Sequence, residues 1–453
     1  MAGFRVFAFL LGFGPLLSVA SSSSSSCPGD LRYFVHDNDE IANTAFVVSE
    51  TGKNEEGFYK FGDLYATEMV LIESFLNSPC RTYNFDSADF FVVPVAPLRQ
   101  GGMGWDTDGN VFMDFAGVKK LLETAQSNIA AKFPNLWETK AHVFFLGHDY
   151  GSCLSPSDLA SRSIILSPNG DHFNPTAALS YCSGVSQVMR NASIKRKAAG
   201  HFMLGGSWGL GDSPGATCLA QQGCFVPDRQ VVVPPYIGSL KEILLAREHF
   251  RIEQEVAGFR ASALSGVAFL NKTKRRILLH FRGTVLEHKR YSVCGERQVF
   301  RDLYGNKSSF EGLGVVSSTN SLDMKDYLEE LAGSIFCYSP SGWAGWSPRF
   351  IQAMVMGCIP VFVACGDQGV FTERPFEAHF DYNAFSVRVS VEMVKEGRLL
   401  DVLNELVRDK TELVVKRIVQ MSDVWRSFVI RPEGGKAFRY VLEDIRSRIA
   451  RRV

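Results

Sequence analysis

One stretch constrains this chain more than any other: residues 334–366, SIFCYSPSGWAGWSPRFIQAMVMGCIPVFVACG. Residues 335–339 form an apolar run of the length of a buried strand. They open into Pro340-Ser341-Gly342-Trp343-Ala344-Gly345-Trp346, whose glycines let backbone come close to a ligand. Ser347-Pro348 reads as a helix N-cap followed by proline at the first helical position. Phe350, Ile351, Met354 and Val355 share one stripe of that helix, and Gly357 is placed to end it before a strand at 358–363. Such a strand–loop–helix–strand unit points free N–H groups into its loop. Arg349 adds a full charge and a bidentate fork in the first turn, so a phosphate-bearing ligand fits there. A plain βαβ unit with a capped helix and a surface arginine accounts for the same residues.

The remaining pattern extends this unit to a whole α/β chain. Apolar runs at 32–36, 89–95 and 141–146 read as buried strands, alternating with amphipathic helices at 61–76 and 117–132. Pro234-Pro235 and Gly238 mark a linker, followed by a connecting helix over 240–263. A second unit opens with a strand at 276–281 and the turn Arg282-Gly283-Thr284. A glycine directly after a first strand is where such a fold brings backbone near phosphate. With 453 residues, 46% of them apolar, there is material for two cores. The expected fold is α/β, two Rossmann-like domains facing a cleft. The expected segments are a leader at 1–20, a serine-rich stalk at 21–29, a first domain at 30–238, a linker and helix at 239–273, and a second domain at 274–453. The chain should end in a basic helix over 439–452 whose charges form a solvated face.

Forty-eight basic and 48 acidic residues cancel, which disfavours nucleic acid as the main partner. Arg5, an apolar run over 6–19 and the small residues Ser18 and Ala20 read as a secretory signal peptide. An uncleaved signal anchor is the alternative, and a membrane is expected to be met only through this segment. Ten cysteines with no CxxC pair and no zinc-type spacing read as disulfides, with Cys27–Cys80 and Cys218–Cys224 as candidate pairs. Sequons at Asn191, Asn271 and Asn306 agree with a lumenal chain.

Phe336-Cys337, Pro340, Gly342, Ser347, Arg349, Ala353 and the run Gly357-Cys358-Ile359-Pro360-Val361 resemble the exostosin family (glycosyltransferase family 47), in its C-x-x-P-x-G loop, S-x-R helix start and G-C-I-P-V strand. Arg81-Thr82, the run 88–94, the turn Asp149-x-Gly151-x-Cys153, the F-R-G turn at 281–283 and Arg374-Pro375-Phe376 are similar to it too, so the resemblance spans roughly 31–430. It implies a GT-B arrangement and an inverting transfer of sugar from a nucleotide, expected to be UDP, to a hydroxyl of a glycan or glycoprotein in the Golgi lumen. The nucleotide sugar is then a co-substrate and no other cofactor is expected. A partner glycosyltransferase subunit also fits. Many members carry an acidic residue where this chain has Gln352. If that position holds the ribose, it does so here without charge.

The donor diphosphate is expected against Gly342, Ser347 and Arg349, with Arg282 and Gly283 facing them and Gln352 nearby. Positive charge there stabilises a leaving diphosphate and replaces a metal, for which no DxD stands on a suitable loop. Arg282 can equally be an ion-pair partner. Trp343 and Trp346 can stack on a ligand or plug the core. The general base is expected in the first half, at Asp149 after the strand 141–146, with Asp37 as the competitor; each can instead be a turn-capping aspartate. A non-catalytic relative that partners an active transferase is the alternative from another class. A hydrolase is disfavoured because this chain shows no convincing carboxylate pair on neighbouring strand ends, and a dinucleotide oxidoreductase because no GxGxxG follows the first strand of either half. The leader reading predicts a mature N-terminus near Ser21 by terminal sequencing; an intact start would make the segment an anchor.

Overall fold

The computed structural model describes residues 27–37, 66–98, 100, 103–105, 111–113, 115–148, 151–173, 225, 227–238, 240–262, 264–273, 275–285, 292, 294–310, 312–342, 345–366, 370–431 and 435–451. The leader, Asp149, Trp343, the pair Cys218 and Cys224 and the sequon at Asn191 lie outside these residues.

In the first half, the apolar runs become β1 (Tyr33–Val35), β2 (Arg81–Thr82) and β3 (Phe90–Val92), followed by a hairpin of β4 (Met103–Trp105) and β5 (Val111–Met113). Then come β6 (Ala141–Phe145), β7 (Ile164–Ser167), β8 (Asp171–Phe173) and β9 (Gln230–Val232). Six of them form a sheet in the order β2-β1-β3-β6-β7-β9, every neighbouring pair parallel. A parallel sheet needs cover on both faces, and β6 is buried at all five positions. Val143 and Phe145 point into one cluster with Met69, Ile72 and Phe75 of the helix Thr67–Asn77. Phe144 points into the opposite one, with Val118, Leu122 and Ile129 of the helix Phe115–Lys132. Alternation along one strand thus feeds two helix layers.

The second half repeats the plan with β10 (Ile277–Arg282), β11 (Ser309–Phe310), β12 (Leu313–Ser318), β13 (Ser334–Tyr338), β14 (Ile359–Ala364), β15 (Val370–Thr372) and β16 (Val387–Ser390). The sheet order is β11-β12-β10-β13-β14-β16, parallel apart from the short antiparallel β11. In both sheets the chain reverses its direction of travel beside the first strand, between β1 and β3 and between β10 and β13. Open sheets leave a crevice at such a reversal, outside the carboxyl ends of the strands.

Among the described residues the halves are joined in several places, including a strand pair and a returning helix. β8 pairs antiparallel with β15, with Asp171 opposite Thr372. The C-terminal helix Ala437–Ala450 returns to the first half, where Phe438 meets Phe75 edge to face at 4.8 Å and Arg448 Nε donates to Gln230 O at 3.1 Å. The expected solvated basic face holds for Arg439, Arg446 and Arg451, which are exposed, whereas Val441, Ile445 and the stem of Arg448 are buried against the first half, as arginine stems readily cover apolar surface. The connecting helix expected over 240–263 is two helices, Leu240–His249 and Ile252–Ala261, broken at Arg251 with φ 56°. Arg247 and Glu253 bond across the break at 2.7 Å and Arg247 also donates to Val355 O and Ser422 Oγ, so these bonds stand in for the glycine or proline that would have announced it. Disulfides join Cys27–Cys80, Cys294–Cys365 and Cys337–Cys358. Among the described residues no helix is long and apolar enough to cross a membrane.

The helix Arg349–Val355 starts one residue after the expected point, with Pro348 itself in the capping position. Its end is as expected. Gly357 has φ 74°, its N–H meets Met354 O at 3.2 Å, and Cys358 N–H reaches back to Ala353 O at 2.9 Å. These paired bonds satisfy carbonyls left open by the helix. A Cβ on Gly357 would stand 2.8 Å from Arg275 and 3.1 Å from Ile252 Cγ2. Gly357→Ala is expected to cost at least about 1–2 kcal/mol from the left-handed backbone alone. Urea unfolding should show a lower midpoint at unchanged slope; an unshifted midpoint would contradict this.

Candidate functional site

The crevice beside β10 is bounded by the turn after that strand and by the loop after β13, so two expected site segments face each other there. Gly283 N–H continues the ladder to Ser318 O at 3.1 Å. Arg349 lies across this turn: its Nε donates to Arg282 O at 3.0 Å and its Nη1 to Ser347 Oγ at 3.3 Å. A Cβ on residue 283 would stand 2.8 Å from the guanidinium, so glycine is what lets the arginine settle here. Ser347, the predicted N-cap, stands one step before the actual capping residue Pro348, and its Oγ accepts weakly from Arg349 N–H at 3.4 Å. Among the described residues no carboxylate pairs with Arg349.

Arg282 is engaged differently. Its fork grips Glu330 through Nε and Nη2 at 2.5 and 2.6 Å, while Nη1 reaches Asn320 O at 3.3 Å. The same carboxylate meets His280 Nε2 at 3.0 Å. Burial alone would raise Glu330, but the hydrogen bonds and charges of Arg282 and His280 outweigh it and hold the carboxyl at about 2. Burial lowers His280 despite Glu330, which favours its neutral form. Gln352 accepts from the hydroxyl of Tyr327 at 3.0 Å. The site thus gathers Arg282, Gly283, Ser347, Arg349 and Gln352, with one arginine neutralised and one not.

Beneath the loop after β13 lie two buried residues with no counterpart in the sequence reading, Glu296 and Arg297 at the start of the helix Glu296–Tyr304. The Glu296 carboxylate accepts from Ser341 N–H at 2.9 Å, from the Ser341 and Ser292 hydroxyls, and from Cys294 N–H at 3.1 Å. Arg297 donates to Ser341 O, to Pro340 O at 3.4 Å and to Thr284 O at 3.1 Å, tying the two loops of the crevice together. Gly342 sits above, 3.6 Å from Arg297 Nη2 at the position a Cβ would take. Cys294, Glu296 and Cys365 lie close enough to share an ion, but the two sulfurs are joined to each other.

The far end of the loop borders a small recess lined by Ser339, Trp346, Ser347, Thr372, Glu373 and Arg374. Trp346 is 8% exposed, so it plugs this wall, and its indole N–H has no partner among the described residues. Arg374 stacks on Phe362, 4.1 Å from the ring centroid. Burial pushes Glu373 up to about 7 against the pull of Arg448.

In the first half, Asp37 is bonded to Arg81. Glu68 accepts from Gly147 N–H at 2.8 Å and Leu98 N–H at 3.2 Å, securing the turns that follow β6 and β3. Burial raises Glu68 to about 8 and lowers His148, the residue before Asp149, to about 3.

The carboxyl of Glu330 lies below its ordinary 4.5. Its contribution to stability is therefore full above pH 4.5 and is lost as pH falls toward 2. Glu330→Gln should lower stability at pH 7 and flatten the acid limb between pH 4.5 and 2, read by thermal unfolding across pH; superimposable limbs would contradict the assignment.

Residues 217–406 match the model of the Exostosin GT47 domain, which takes in both loops of the crevice. A probable glucuronoxylan glucuronosyltransferase of Arabidopsis thaliana is 24% identical over 436 residues, covering 94% of this chain and 78% of the relative. A second protein of that description from the same plant is 24% identical over 317 residues, 68% of this chain and 53% of the relative. A probable beta-1,4-xylosyltransferase of Arabidopsis thaliana is 24% identical over 311 residues, 66% of this chain and 56% of the relative. The chain spans about half the length of these last two.

Proposed function

We propose that this chain, which carries an Exostosin GT47 domain, is a glycosyltransferase that moves a sugar from a UDP-sugar to a hydroxyl of a glycan or glycoprotein. The observation that carries the reading is Arg349, a guanidinium without a carboxylate partner among the described residues, laid over Gly283 at the strand-order reversal of a parallel sheet. The two strand orders support a GT-B arrangement of two Rossmann-like domains, with the nucleotide on the second. The relatives' names support a glucuronosyl or xylosyl donor.

In this reading the acceptor oxygen attacks the anomeric carbon from the side opposite the diphosphate. The bond to the diphosphate oxygen breaks, its electron pair stays on that oxygen, and configuration inverts. Arg349 and the Ser347 hydroxyl stabilise the charge that develops there, without a metal. Asp149 takes the acceptor proton; Asp37, already bonded to Arg81, is the second choice. The leader-like segment and the sequons support a reaction in the secretory lumen. A non-catalytic partner role is favoured by one observation, that Arg282 and Gln352 are already occupied by Glu330 and Tyr327.

Loss of a charge-assisted contact of about 1.5–3 kcal/mol means that Arg349→Ala should weaken UDP binding by about tenfold or more in calorimetry. Unchanged affinity would remove the diphosphate from this place. Asp149→Asn should abolish turnover of the UDP-sugar while sparing UDP affinity; retained turnover would move the base to Asp37.

A further inference from the structure

We propose that Asp171, a residue of the first half, is a positioning residue for the donor loop of the second. The inference rests on the reading that this loop receives the diphosphate of a nucleotide sugar. Asp171 is 0% exposed. Its Oδ2 accepts from Gly345 N–H at 2.6 Å, and its Oδ1 accepts from the Thr372 hydroxyl at 2.6 Å. Its own N–H is held by Asn169 Oδ1 at 2.8 Å, so the carboxylate is fixed from its own side as well. Residue 345 must be glycine for this approach, since a Cβ there would stand 2.1 Å from Asp171 Oδ1 and 2.2 Å from Thr372 Oγ1.

The placement decides the role. Gly345 stands between Ser341, which Glu296 holds, and Ser347, whose hydroxyl meets Arg349. The near end of the loop is therefore set by its own domain and the far end by a carboxylate from the other. Pairing of β8 with β15 puts Asp171 opposite Thr372, and Glu373 N–H adds a bond to Gly170 O at 2.9 Å, so the carboxylate is carried on a ladder rather than on a free loop. A carboxylate removed from water needs such donors to offset its lost hydration. The hydrogen bonds of Asp171 described above go to Gly345 and Thr372 rather than to Ser347 or Arg349. It acts through Gly345, by setting where the segment leading to Ser347 and Arg349 stands. Donor affinity should then depend on contact between the halves.

The test is UDP titration by calorimetry on the whole chain, for the parent, Asp171→Ala, Thr372→Val and Thr372→Ser, each well below its own unfolding temperature. Removing the carboxylate frees Gly345 and should weaken UDP by about tenfold or more, as expected for a buried charge-assisted bond. Thr372→Val leaves one carboxylate oxygen without its donor and should weaken UDP by about fivefold. Thr372→Ser restores the hydroxyl and should restore the affinity, which a role in stability alone would not require. Thr372→Val carries the test if Asp171→Ala does not fold. Parental UDP affinity in Thr372→Val overturns the inference, whatever its unfolding temperature. A parent chain that does not bind UDP overturns the donor-site reading itself, and the inference with it.

Discussion

Two buried carboxylates hold the backbone of one loop, and the crevice takes its shape from them. Glu296 grips Ser341 from below and Asp171 grips Gly345 from the side. Taking a carboxylate out of water is among the largest local costs a fold can carry, and it is tolerated where several N–H and O–H donors converge. Both carboxylates meet that condition, while the sheets around them are filled with valine, isoleucine and phenylalanine. Glu296, Arg297, Ser339, Ser341 and Ser347 are all buried at the loop where a ligand would enter.

Charge is distributed unevenly in the same crevice. Glu330 neutralises Arg282 and shares its carboxylate with a neutral His280, while Arg297 is spent on backbone carbonyls that join the two loops. Among the described residues Arg349 has no carboxylate partner and donates to a carbonyl and a hydroxyl. An anion arriving here would meet one well-placed guanidinium on a rigid support, rather than a diffuse basic patch.

Local signals account for what could be read from the residues. Strands at Tyr33–Val35, Phe90–Val92 and Ala141–Phe145 are apolar runs, and the end of the helix Arg349–Val355 is announced by Gly357. The pair Cys27–Cys80 was one of two candidates and is present. What escaped is long-range. Glu296 and Arg297 carry no local signal of burial, and what holds them inside is bonding to Ser341, Pro340 and Thr284 on the two loops. Asp171 meets Gly345 across 174 positions and Thr372 across 201, beyond any periodicity. Arg282 showed both its readings in sequence, phosphate ligand or ion pair, and Glu330 lies 48 residues away. The break at Arg251 has no glycine or proline to mark it and depends on Arg247 being drawn into the interior toward Val355 and Ser422.

The central claim is a nucleotide-sugar site at the reversal of the second sheet. The most direct measurement is a binding screen of the purified chain against UDP, GDP and a panel of UDP-sugars that includes UDP-glucuronic acid and UDP-xylose. The account predicts saturable binding of UDP and of one UDP-sugar, with GDP weaker. No saturable binding of any of them would contradict it and would turn attention to a non-catalytic role beside an active transferase.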